Sequence, residues 1–223
     1  TTSDLANGLS VTTAVGTYIR PPVCHRSALA SLTTDLDGSL VTTDKTFVNG
    51  GIVKTTGTQT YNDAVQVGTA ALAPATAGVT TFVSTGAGKI KFNSTLDGAN
   101  EVVVNTAGGT YFQAAVGQGA ALVSLTTDLD VSLASTDKTY VNGGLIKTTG
   151  AQTYNDRVMV DTAPVAPATT GVTTFVSTAA GNIKFNHKLD GANAVEVRTA
   201  GGTYFQAWVG QGTALVSLTT DLD

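Results

Sequence analysis

The sequence predicts an all-β chain coiled into a parallel β-solenoid, a stack of short rungs in which each rung buries its neighbour. Three observations carry this expectation: an ungapped tandem repeat of 93 residues, a period-two alternation of constancy and change between the copies, and no window with helical apolar spacing.

The repeat sets the frame. ALASLTTDLD at 28–37 returns as ALVSLTTDLD at 121–130 and again at 214–223. Residues 28–120 form repeat 1 and 121–213 repeat 2; about three quarters of their positions are identical, so they must share one structure. Residues 214–223 start a third repeat. Residues 1–27 read as the diverged end of a preceding one, because Asp4, Asn7, Val11, Gly16 and Tyr18 fall opposite Asp190, Asn193, Val197, Gly202 and Tyr204. Further copies outside this window are expected.

Taken in order along repeat 2, turn clusters divide it at 121–144, 145–168, 169–193 and 194–213. The first segment carries VSLTTD and closes on NGG; the second carries GLIKTTG and QTY and closes after YND. The third carries GVTTFVST and NIKFN before LDGAN, and the fourth carries AVEVRTA and TYF before GQG. Four rungs per copy, and nine or ten rungs in all, are therefore expected. The rival, two antiparallel sandwiches, needs a linker near 120–124, where GQGAALVSL runs on without a proline or charged break.

Comparison of the copies shows which side chains point inward. In DAVQVG against DRVMVD, Ala64, Gln66 and Gly68 become Arg157, Met159 and Asp161, while Val65 and Val67 recur as Val158 and Val160. EVVVN against AVEVR behaves in the same way around Val102 and Val104. A strand with one packed face tolerates change only on the other face. Val65, Val67, Ile90, Phe92, Val102, Val104, Phe112, Ala114 and Val116, with their equivalents in repeat 2, are assigned to the interior. Adjacent Thr-Thr pairs at 33–34, 80–81 and 126–127 place one threonine of each pair inward, which does not make the flat outward rows an ice-binding face needs.

Composition narrows the function classes. Charged residues make up 13% of the chain, with 16 acidic against 12 basic residues and no run of Lys or Arg, so nucleic acid is not an expected partner. No stretch approaches the roughly 18 apolar residues of a membrane span, so no membrane insertion is expected. The single cysteine, Cys24, has no internal disulfide partner.

The phrases KTTGAQTYNDRV, VSTAAGNIKFN, KLDGANAVEVRTAGGTYF and ALVSLTTDLD resemble the repeats of filamentous-haemagglutinin-like and autotransporter-type bacterial surface exoproteins, over roughly residues 28–223. This resemblance implies a right-handed parallel β-helix, an extracellular or cell-surface location, and a role in adhesion, matrix or filament formation.

The i, i+2 carboxylates Asp35 and Asp37, Asp128 and Asp130, and Asp221 and Asp223 are the place where catalysis could start. On a strand they would share a face about 7 Å apart, a spacing an inverting carbohydrate hydrolase could use. Their recurrence once per copy points instead to a structural turn, because an enzyme needs one site with distinct acid and base environments. His25 and His187 are not equivalent in the repeat frame, and with Cys24 they do not make up a metal-ligand set. No catalytic, cofactor or metal site is expected. Cys24, His25 and Trp208 stand out as candidate assembly or ligand contacts; Trp208, whose counterparts are Ala115 and Pro22, points outward by strand parity. The expected function is a non-enzymatic structural rod, filament or adhesin stalk, associating end to end or continuing in a longer chain. A glycan or host-surface ligand is the expected partner if the protein instead binds or cleaves carbohydrate.

Overall fold

The computed structural model describes residues 7–13, 16–19, 28–35, 44–49, 51–68, 78–128, 137–160 and 171–221, among which there is no helix. Twenty-three short strands pair in parallel and stack as three faces. The first face orders β1 (Leu9–Val11), β3 (Leu32–Thr34), β6 (Gln59–Tyr61), β9 (Ile90–Phe92), β12 (Thr110–Phe112), β14 (Lys138–Val141), β17 (Arg157–Val160) and β20 (Leu189–Gly191). The second has two runs: β2 (Thr17–Ile19), β4 (Lys45–Val48), β7 (Ala64–Val67) and β10 (Leu96–Gly98), then β15 (Leu145–Thr148), β18 (Val172–Ser177), β21 (Ala194–Thr199) and β23 (Ser217–Thr220). Val116 joins these runs, bridging to Leu96 on one side and Ile146 on the other. The third face orders β5 (Ile52–Thr55), β8 (Val79–Ser84), β11 (Glu101–Thr106), β13 (Ser124–Thr127), β16 (Gln152–Tyr154), β19 (Ile183–Phe185) and β22 (Thr203–Phe205). The chain visits the faces in that order, so one circuit is one rung of a parallel β-helix.

The sequence repeat and the rung are out of phase. Each copy makes eleven visits: β3 to β12 with the bridge at Val116, then β13 to β22 with the bridge at Val209. Eleven is not a multiple of three, so the expected four rungs per copy are refined to three and two-thirds turns. Equivalent strands therefore change face: β3 lies in the first, β13 in the third and β23 in the second. At ~4.8 Å per rung, one copy advances the rod by about 18 Å.

The interior follows the period-two pattern. Val65, Val67, Ile90, Phe92, Val102, Val104, Phe112 and Val116 are all at most 1% exposed, and Val158, Val160, Ile183, Phe185, Val195 and Val197 are fully buried. Ala114 and Ala207, expected inside, are half-buried, because the preceding strands end at Phe112 and Phe205 and the chain there turns a corner. Phe205 and Val209 belong to the last rung and are open for that reason. Stacking on the ladder aligns rings: Tyr61, Phe92 and Phe112 follow one another at 5.1 and 5.6 Å with Phe82 edge-on, and Tyr154, Phe185 and Phe205 repeat this at 5.1 and 5.3 Å with Phe175 edge-on. Each fully buried large side chain contributes about 1.5–3 kcal/mol before entropy is deducted.

The buried glutamines are satisfied by the ladder itself. Gln152 Nε2 donates to the Val176 carbonyl at 2.8 Å and the Ile146 carbonyl at 3.3 Å, and its Oε1 accepts from the Tyr154 hydroxyl at 2.9 Å. Gln59 and Tyr61 form the same network in repeat 1. In the L-D-G-A-N turns, Gly98 and Gly191 hold φ of 134° and 145°, and a Cβ at either would run into the carbonyl oxygen of Val67 or Val160. Only glycine fits so close to the strand below.

Candidate functional site at the repeat junction

Where one copy passes to the next, the first face gathers cations and rings that lie far apart in sequence. Lys91, Tyr111, Tyr140, Met159 and Asp190 occupy one outward row on successive strands, and Lys138 lies beside Arg157 in the adjacent row. The Tyr111 and Tyr140 rings stack at 4.4 Å with planes 9° apart. Lys89 and Lys91 reach over Tyr111, with Nζ 5.7 and 5.8 Å from its centroid, a cation–π arrangement. Arg157 is held by Asp190 at 2.7 Å, and the Asp190 carboxylate also accepts the Gly212 amide at 2.8 Å. Burial raises the Tyr140 hydroxyl above its ordinary range, Tyr111 adds to this, and Lys89 and Arg157 oppose it.

Sequence reading missed this patch because Lys89, Lys91, Lys138 and Arg157 form no run; only the phase of the helix brings them onto one face. The patch is variable. On the second face the equivalent stack is Tyr18 on Phe47 at 4.7 Å, with Ala64 where Arg157 stands. On the third face Lys184 lies 5.6 Å from the Tyr204 centroid, and Asn182 replaces Lys89. Phenol edges flanked by ammonium groups offer hydrogen bonds and positive charge to a ligand.

The carboxylates have another use. Asp35, Asp128 and Asp221 follow their strands at φ of 49°, 52° and 55°, where the chain leaves the ladder, so the strand geometry expected for the pairs does not arise. Asp37, Asp130 and Asp223 lie outside the described residues. Asp156 receives the Thr127 hydroxyl at 2.9 Å and the Thr139 hydroxyl at 2.9 Å, and so ties together the two ends of the segment 128–138; Asp63 does the same for Thr34 and Thr46. Burial pushes the Asp156 carboxyl up to about 6; its two threonine hydrogen bonds pull it down, and Asp137 raises it. Asp128, Asp137 and Asp156 are only 2–4% exposed, which sets them in the corner rather than in a cleft. Among the described residues, no group of three or more His, Cys, Asp or Glu side chains is placed to hold a metal ion.

Trp208 is 65% exposed, on the turn between β22 and Val209. Cys24 and His25 fall outside the described residues. Among the described residues, no helix is long and apolar enough to cross a membrane.

No family model, curated protein or solved structure matches the chain.

Proposed function

We propose that this chain is a non-enzymatic structural repeat protein of the bacterial cell surface or extracellular matrix, part of a rod, filament or adhesin stalk. One observation supports this reading above the others: the first and third faces run through the boundary between copies, with β12 and β11 of the first copy pairing directly to β14 and β13 of the second. A rod built this way lengthens by adding copies while each rung keeps the same neighbours. The recurring aspartates and threonines spend their hydrogen bonds on corners, which suits a load-bearing shape. End-to-end association or continuation in a longer chain belongs to the same reading. Negative-stain microscopy of native material tests the reading: long uniform fibres are expected, and dispersed short particles would overturn it.

A second reading, glycan binding, is favoured by the exposed Trp208 and the Tyr111–Tyr140 stack with its lysines. Aromatic surface and hydrogen-bonding edges are what sugars use. Screening on a glycan array, with Trp208→Ala and Tyr140→Ala as controls, tests it; binding that survives both substitutions would remove these residues from consideration.

A further inference from the structure

Three outward positions at which the copies differ carry a cation in only one copy, and all three cations fall on one strip of the first face. Lys89 stands where repeat 2 has Asn182, Arg157 where repeat 1 has Ala64, and Lys188 where repeat 1 has Thr95. Side chains on the outward parity are free of core packing, so the core does not call for these cations. Register lines them up. Lys138 pairs with Arg157, and the Val158 amide, next to Arg157, donates to the Lys188 carbonyl at 2.9 Å. The Ile90 amide, next to Lys89, donates to the Gly109 carbonyl at 3.1 Å, and Gly109 directly precedes Thr110, the partner of Thr139. Lys89, Lys138, Arg157 and Lys188 thus form one row along the rod axis, interrupted only by Gly109, over four rung spacings or about 19 Å. The row runs on to Trp208, whose carbonyl accepts the Leu189 amide at 3.2 Å.

With Lys91 in the adjacent ring row, the strip gathers five of the 12 Lys and Arg of a chain whose formal net charge is -4. Among the described residues, Asp190 is the one acid in the two rows, and it is fully buried against Arg157. Beyond the Tyr111–Tyr140 rings lies a ladder of neutral amides: Asn93 Nδ2 donates to Asn62 Oδ1 at 2.7 Å and Asn142 Nδ2 to Gln113 Oε1 at 3.0 Å. We propose that this strip binds an anionic polysaccharide, a carboxylated or sulfated sugar chain lying along the rod axis. Its charged groups meet the cation row, and its hydroxyls meet the phenol edges and the amides. Asp190 on Arg157 at 2.7 Å is an example, within the protein, of an anion held on this row. Nucleic acid suits the strip less well: Tyr111 is covered by Tyr140 on one side and approached by Lys89 and Lys91, so the rings offer edges where bases need faces.

This proposal rests on the glycan-binding reading above, and its test separates the two. Binding of the chain to polygalacturonate, dextran sulfate, neutral dextran and a single-stranded oligothymidylate is measured by affinity electrophoresis. The test variant, Lys89→Asn with Lys188→Thr, takes both residues from the sister copy, where the same fold already holds them. Its control, Lys54→Asn with Lys147→Asn, removes the same charge from the third and second faces. Loss of two exposed ion pairs weakens binding of a polyanionic sugar by about tenfold in the test variant, against about twofold or less in the control. The polyanion held more tightly then names the charged group. Equal weakening in both variants, no binding of either polyanion, or tighter binding of the oligothymidylate overturns the proposal. If a neutral glycan binds and is lost in Trp208→Ala or Tyr140→Ala while both polyanions fail, the proposal falls and the glycan reading stands; if no glycan binds, both fall.

Discussion

Phe112 and Phe205 are one residue of the repeat met in two positions, and truncating each measures what a covering rung is worth. Phe112 is fully buried, stacked on Phe92 at 5.6 Å and covered by Val141. Phe112→Ala removes a ring from a site closed on every side, and the cavity and transfer costs together come to about 3–5 kcal/mol. Phe205 stacks on Phe185 at 5.3 Å and is half-buried. Phe205→Ala forfeits part of that transfer and one ring pair, about 1–2 kcal/mol, and leaves no closed cavity. Because a rod of repeats can melt from its ends, urea denaturation is paired with native-state hydrogen exchange. The Asn142 amide, which donates to the Phe112 carbonyl at 2.9 Å, reports the first site, and the Gln206 amide, which donates to the Phe185 carbonyl at 2.9 Å, reports the second. Equal costs at the two positions would refute the argument that rung stacking, rather than local sequence, sets the energy.

Three further outcomes are expected. Asp156, with its carboxyl raised to about 6, binds its proton more readily when folded than when unfolded. Its contribution is therefore fully present below the ordinary aspartate range and is lost as pH rises through about 6; on the order of 3 kcal/mol is at stake, and urea midpoints between pH 4 and 7.5 should fall in the native chain and flatten in Asp156→Asn. Gln152→Leu strands the Tyr154 hydroxyl and costs about 1–3 kcal/mol, whereas adding Tyr154→Phe recovers part of the loss, a coupling that a double-mutant cycle reads directly. Gly98→Ala forces a Cβ against the Val67 carbonyl at a φ of 134° and lowers stability by about 2–4 kcal/mol, seen as a fall in thermal midpoint with loss of exchange protection around β7 and β10.

Much of this fold was legible because two near-identical copies act as their own mutational record. Constancy at Val65 and Val67 against change at Ala64 and Gln66 reads the pleat directly. The phase was not legible: a whole side of a rung is made by isolated bridges at Val116 and Leu122 with no strand, so turn spacing alone suggests four even rungs. Ala114 lies past the end of β12, where strand parity no longer decides which way a side chain points. Gln59 and Gln152, fully buried in the bore, carry no apolar signal, and only their carbonyl partners on neighbouring rungs explain them. The basic patch escaped for the same reason as the phase, since Lys89 and Arg157 come to flank the Tyr111–Tyr140 stack on one face only when the coil is wound.

Because equivalent residues step round by one face per copy, any side chain fixed in the repeat is laid down like the thread of a screw. A flat surface pressed against one flank of a long rod would touch the same residue only at every third copy, about 53 Å apart, whereas a flexible polymer winding along the groove would meet it in each. Selection acting on a single position thus decorates all azimuths at once, and a rod of many copies has no back.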